Sequence, residues 1–139
     1  MVSQGPLKGV RVVDLTAMVM GPYCTQIMAD MGADVIKIEP PQGDDTRYVS
    51  VGPAPGMSAV FVNVNRGKRS VVLDLRSEEG RTALRALVAD ADVFIHSMRA
   101  KAIAKSAPET DCINALVTGT LMVSGDFDGL GEELPGSME

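Results

Sequence analysis

The chain has 139 residues, 45% hydrophobic and 22% charged, which is the make-up of one folded globular domain and not of a disordered or fibrous chain. With three Phe, two Tyr and no Trp, stacking platforms for nucleobases are nearly absent, so nucleic acid is not an expected ligand. All 13 basic residues lie before Ala107: residues 1–106 carry 13 basic and 11 acidic groups, a balance of +2, while residues 107–139 carry seven acidic groups and no basic one, so an anionic ligand belongs to the first part and the tail reads as a solvated end.

The start, MVSQGPLKG, has no apolar run behind a basic residue, and no stretch of 18 apolar residues occurs. Neither a signal peptide nor a membrane span is expected, and the expected location is the cytoplasm. Cys24 and Cys112 sit in no CxxC or histidine-linked pattern, so they read as free thiols and no metal site is signalled.

Val10 to Leu15 (VRVVDL) is a β-branched run suited to a buried strand. Pro22 then fits the first helical position with Gly21 as cap, and the spacing predicts a helix to Met31, closed by Gly32. Asp34 to Glu39 (DVIKIE) is the next strand, which completes a βαβ unit with parallel strands. From Pro40 to Arg66 the punctuation PPQGDD and GPAPG predicts a long loop, with a short extended or helical piece at Ser58 to Val64. Ser70 to Leu75 is a third strand. Ser77 caps a predicted helix to Val88 whose first turn carries Glu78 and Glu79, and Asp92 to His96 is a fourth strand. The alternation defines an α/β fold, a Rossmann-like parallel sheet with flanking helices. After Ser97 the pattern weakens to a short basic helix, and Asp111 to Val123 reads as a further helix despite Gly119.

The first strand-to-helix turn, LTAMVMGPYCT, holds a single glycine and so lacks the GxGxxG fingerprint. Asn65 to Ser70 places three cations around Gly67 before a strand. A P-loop instead needs its Lys and Ser/Thr adjacent and opening a helix. Such a loop can still bring backbone and Arg forks to phosphates, although taken alone it serves first as a solvated turn. Arg99, Lys101 and Lys105 follow the fourth strand, at the carboxyl edge where ligands bind an α/β sheet. His96, the single histidine, ends a buried strand and reads as a core or edge residue.

The ordered residues carry more. GPLKGVRVVDLT, GPYCTQIMADMGADVIKIEPPQGDDTR and NVNRGKRSVVLDLRSEEGR, within a match from Gly5 to Val93, resemble the amino-terminal part of family III CoA-transferases. That family includes formyl-CoA and carnitine CoA-transferases and α-methylacyl-CoA racemases. The resemblance implies coenzyme A contacts at Ala17, Met18, Val19 and Met20, at Asn65, Arg66, Gly67, Lys68 and Arg69, and at Ser97, Met98 and Arg99. The implied substrates are an acyl-CoA and a carboxylic acid acceptor, with coenzyme A as substrate and not as a resident cofactor. The full-length form is implied to be a homodimer.

The sequence departs from the family in several places. Pro40 stands where some members carry a contacting arginine, and Ser97-Met98-Arg99 replaces a common Asn-Phe-Arg. Some tens of residues are missing between Lys101 and Asp111, after which TDCINALVTGTLMVSGDFDG resembles a later helix and an Asp-Gly turn. The family's aspartate, which forms a mixed anhydride and then an aspartyl-CoA thioester, falls beyond this chain. Neither Asp111 nor Asp128 matches it, so no catalytic residue is assigned. The expectation is a Rossmann-like CoA-binding part over 1–106 and a truncated or rearranged acidic tail over 107–139, inactive as an isolated chain. A racemase-type member or a noncatalytic CoA-binding or dimerisation module are the alternatives.

Overall fold

The β-branched run forms β1, Arg11–Leu15. Successive side chains of a strand point to opposite faces, so Val12 and Val13 enter two different cores. The computed structural model describes residues 5–98 and the backbone of Asn114–Val117 and Leu121–Ser124. The further strands are β2 (Asp34–Glu39), β3 (Arg69–Val72), β4 (Val93–His96), β5 (Asn114–Val117) and β6 (Leu121–Ser124). Their order across the sheet is β3-β2-β1-β4-β5-β6, parallel from β3 through β5, with β6 antiparallel to β5.

Helices cover both faces. The helix α1 (Met20–Asp30) brings Met28 and Ala29 onto Val12, Val35 and Ile95, whereas a later helix, Glu78–Ala89, brings Leu84 and Val88 onto Val13, Ile36, Ile38 and Phe94. Each fully buried aliphatic or Phe side chain contributes about 1.5–3 kcal/mol. These two sandwiches hold the sheet while leaving its carboxyl edge open. Between them in the chain lies α2 (Ala59–Asn65), followed by that later helix, α3.

The four predicted strands are present within a residue or so at their starts, and α3 begins after the predicted cap, with Ser77 Oγ accepting from Gly80 N at 3.0 Å. Two boundaries shift. The α1 helix starts at Met20 and not at Pro22, because Tyr23 N already donates to Val19 O at 2.8 Å. Pro22 therefore sits inside the first turn, where a missing N–H costs no helical bond. The Pro40 to Arg66 segment contains a 3-10 turn at Asp45–Tyr48 and α2, which Ser58 caps through Phe61 N.

The helix expected over Asp111 to Val123 is replaced by β5 and β6. Asn114 to Leu116 pair in register with Phe94 to His96, and Asn114 to Val117 pair with Ser124 to Leu121. The apolar runs on either side of Gly119 each find a ladder partner there, which a helix interrupted by glycine does not offer. Among the described residues no helix is long and apolar enough to cross a membrane.

Candidate functional site

In this strand order the chain leaves β1 toward β2 on one side, while β4 lies on the other. A reversal of this kind sets a crevice at the carboxyl ends of the two strands. A cavity of about 1410 Å3 lies there, lined by residues 15–17, 38–45, 73–76, Arg81, Ser97 and Met98. This exceeds the roughly 300–1,000 Å3 typical of small-molecule pockets, so it admits an extended ligand.

Of the residues singled out in the sequence, Ala17, Ser97 and Met98 meet in this crevice. Ala17 N donates to Ser97 Oγ at 3.1 Å and so ties the residues just past β1 and β4 to each other. Met18 follows with φ +68°, in the left-handed region, and Met18, Val19 and Met20 are exposed. The N-cap of α1 is Val19, which offers no side-chain acceptor, and the first turn holds no acidic residue. The start of α1 therefore keeps uncapped N–H groups and the positive end of the helix dipole, three residues past Ala17, the last residue of this turn that lines the crevice. Arg99 lies outside the described residues, as do Lys101, Lys105, Asp111 and Asp128.

The basic loop Asn65–Arg69 is not brought to this crevice. Its Lys68 side chain is only 2% exposed, with Nζ 3.0 Å from Asp14 Oδ2, 2.8 Å from Pro22 O and 2.9 Å from Asn65 Oδ1. Burial pushes the Lys68 ammonium below its ordinary pKa, and Asp14 opposes that shift. Arg66 pairs with Asp30 at 2.7 Å, and Arg69 pairs with Asp34 at 2.6 Å, at the amino end of β2. Gly67 takes φ +78°, a turn that a side chain would strain. Residues 65–68 line a separate cavity of about 330 Å3 under α2.

Two cations that the sequence reading passed over do line the crevice. Arg81 donates to Leu75 O at 3.1 Å and to Arg76 O at 2.7 Å, and pairs with Glu78, so it holds the 75–76 backbone in place. The Arg76 side chain is exposed and, among the described residues, makes no ion pair. A signal for it was available: Arg76 follows the third predicted strand at its carboxyl edge, where ligand contacts were expected only after the fourth.

Beneath the crevice, the α1 face of the sheet turns from apolar to ionic along its length. Val12 and Val35 give way to Asp14, Lys37 and Glu39, all buried. Lys37 Nζ lies 2.9 Å from Thr16 O and 2.9 Å from Asp44 Oδ2. Arg47 grips Glu39 with two bonds of 2.6 Å. Burial alone would raise the Glu39 carboxyl, but hydrogen bonds from Arg47, Ser70 and the Asp44 N–H, with the Arg47 charge, outweigh it and hold the group below its ordinary value. The same balance holds for Asp44, where burial is opposed by Thr46 and Lys37. These carboxylates stay ionised and occupied. His96, buried and 5.6 Å from the Phe94 ring, has its pKa lowered mainly by burial, opposed by the Met98 backbone, and does not line the crevice.

A doubly wound α/β sheet with an open crevice at its strand-order reversal is the architecture of nucleotide-binding proteins. The family model of CoA-transferase family III matches residues 7–116, and the chain belongs to that family. It is 47% identical over 105 residues to a succinyl-CoA:mesaconate CoA-transferase of Haloarcula hispanica, a match covering 73% of this chain and 26% of the relative. It is 42% identical over 118 residues to a succinate–glutarate CoA-transferase of Agrobacterium fabrum, covering 80% and 30%. Among solved structures, a CAIB/BAIF family protein from Brucella suis superposes with TM-score 0.64 at 40% identity, over 79% of this chain and 32% of that one. The Mycobacterium tuberculosis protein Rv3272 superposes with TM-score 0.70 at 33% identity, over 82% and 32%. The chain thus spans about a quarter to a third of the length of these relatives.

Proposed function

We propose that the crevice binds coenzyme A and that the chain is the CoA-binding portion of an enzyme that moves CoA between an acyl-CoA and a carboxylic acid. The observation that carries this reading is the exposed Arg76 lining the crevice, unpaired among the described residues, with the uncapped start of α1 three residues past the lining residue Ala17. A phosphate-rich ligand needs both. The turn Ala17–Met20 and the stretch Ser97–Arg99 flank the ligand, while Lys68 acts indirectly by anchoring Asp14 beneath the turn. Relatives named for mesaconate, glutarate and, in Acetobacter aceti, oxalate support a short dicarboxylic acid as the acceptor class.

The expected test is titration of CoA against the 139-residue chain. Arg76→Ala should weaken binding roughly tenfold, as loss of a charge-assisted hydrogen bond does, and affinity should fall as salt rises. A combined Arg66→Ala and Arg69→Ala variant should bind almost as the parent does. If that variant loses affinity and Arg76→Ala does not, the ligand lies at the basic loop and the crevice assignment fails.

The transfer itself is proposed to run through an aspartyl intermediate. A carboxylate adds to the thioester carbonyl and expels the CoA thiolate, giving a mixed anhydride. The thiolate then attacks the aspartyl carbonyl and releases the first acid, leaving an aspartyl-CoA thioester. The acceptor carboxylate attacks that thioester, expelling the thiolate and forming a second anhydride, and the thiolate attacks the acceptor's acyl carbonyl, giving the new acyl-CoA and freeing the aspartate. Among the described residues, the buried carboxylates at the crevice floor are tied to Arg47 and Lys37, which removes them as nucleophiles. The chain alone is therefore expected to bind CoA without turnover. Incubation with succinyl-CoA and hydroxylamine should yield no protein hydroxamate; stoichiometric trapping at Asp45, Asp111, Asp126 or Asp128 would place the nucleophile inside this chain.

A cytoplasmic homodimer is the proposed working form. Met20, Tyr23, Ile27 and Met31 support the dimer, since they form an exposed apolar stripe at helical spacing along α1 and its end. Sedimentation of the chain checks it.

A further inference from the structure

We infer that Ser97 is a positioning residue for the crevice, holding the β1–α1 turn in a strained conformation that the turn would not keep by itself. The inference rests on the coenzyme A reading for its purpose, but not for its geometry. The parallel ladder between β1 and β4 ends at the pair Leu15 and His96. Beyond it the ladder stops, and the backbone N–H of Ala17 has no ladder partner. The Ser97 hydroxyl accepts from that N–H at 3.1 Å, one residue past the end of β4. A side chain thus continues the ladder past its end.

The bond lies next to Met18, where φ is +68°. Met18 is the only non-glycine residue with positive φ among the described residues, and an L side chain in this region is disfavoured and persists where its surroundings hold it. The two sides of Met18 are clamped differently. On the helix side, Tyr23 N donates to Val19 O at 2.8 Å. On the strand side, Lys37 Nζ takes Thr16 O at 2.9 Å, Asp14 accepts from Thr16 N at 2.9 Å, and Ser97 takes the next N–H. Met18 itself is 54% exposed. Among the described residues Ser97 is the one clamp on this turn that comes from the β4 side, and it therefore couples the ends of β1 and β4.

The test compares the parent chain with Ser97→Ala, Ser97→Thr, Met18→Gly and the Ser97→Ala/Met18→Gly double variant. Amide hydrogen exchange at Ala17 is read without ligand, and CoA affinity is read separately. Ala17 exchange should accelerate roughly fivefold in Ser97→Ala, the equivalent of one ordinary hydrogen bond. It should return to the parent rate in Ser97→Thr, which keeps the hydroxyl. Because glycine adopts positive φ at no steric cost, the Met18→Gly background should shrink the effect of Ser97→Ala. A generally weakened fold would accelerate amides of β1 and β4 alike and would ignore the Met18 background. Unchanged Ala17 exchange in Ser97→Ala, or no recovery in Ser97→Thr, overturns the inference. If the parent chain fails to bind CoA, the ligand assignment falls while the exchange data still decide the role of Ser97. If CoA binds, Ser97→Ala should reduce affinity several-fold and Ser97→Thr should restore it.

Discussion

Lys68→Met is expected to destabilise the chain by about 3–5 kcal/mol, the cost of removing one partner from a buried ion pair. Domain stabilities are about 5–15 kcal/mol, so the variant should stand near the edge of folding. The cause is Asp14, whose carboxylate is fully buried under the β1–α1 turn and has Lys68 Nζ at 3.0 Å. Without the ammonium, three acceptors lose a donor at once: Asp14 Oδ2, Pro22 O and Asn65 Oδ1. Asp14 keeps the Thr16 N–H and hydroxyl and the Thr25 hydroxyl, which places the expected loss toward the lower end of the range. Urea unfolding of the variant measures it. Asp14→Asn/Lys68→Met, which removes both charges, should recover part of the loss. A penalty under about 1 kcal/mol would mean a solvated pair.

Arg47→Ala is expected to cost about 3 kcal/mol at neutral pH, and the cost should shrink as the solution is acidified. Arg47 holds Glu39 through two bonds of 2.6 Å and also lies 3.7 Å above the Phe61 ring. In the parent chain Glu39 and Asp44 have folded pKa values below their ordinary ones. The unfolded chain binds protons first as pH falls, so the stability these groups contribute is present above about pH 4.5 and lost as pH drops through the folded values. Removing Arg47 takes away two of the hydrogen bonds and the opposing charge, leaving burial to dominate Glu39. Its pKa then rises, the folded state takes up the proton first, and acidification relieves the buried charge. Urea midpoints from pH 7 down to about pH 4 should show the two proteins converging; parallel curves would show that Arg47 is not the counter-charge of Glu39.

The local sequence by itself determined the first four strands and the helices α1 and α3. Alternating Val12 and Val13, the β-branched runs at β2 and β4, and the Ser77 cap act within a few residues of themselves, so they are legible without a fold. Strand and helix alternation then sufficed for the parallel α/β class, and the ordered residues around GPYCTQ and NRGKRS sufficed for the family. Tertiary structure alone decided where the charges point. Lys68 looked like a phosphate contact because it stands between Arg66 and Arg69, yet its acceptors, Asp14 and Pro22, lie 54 and 46 residues away. Their meeting depends on strand register and on which face each crossover covers. Arg76 reached the crevice for the same reason, since strand order places the carboxyl end of β3 on that edge. The hairpin of β5 and β6 likewise exists because β4 offers a free ladder; a pairing partner is a property of the sheet and leaves no mark within the segment that joins it.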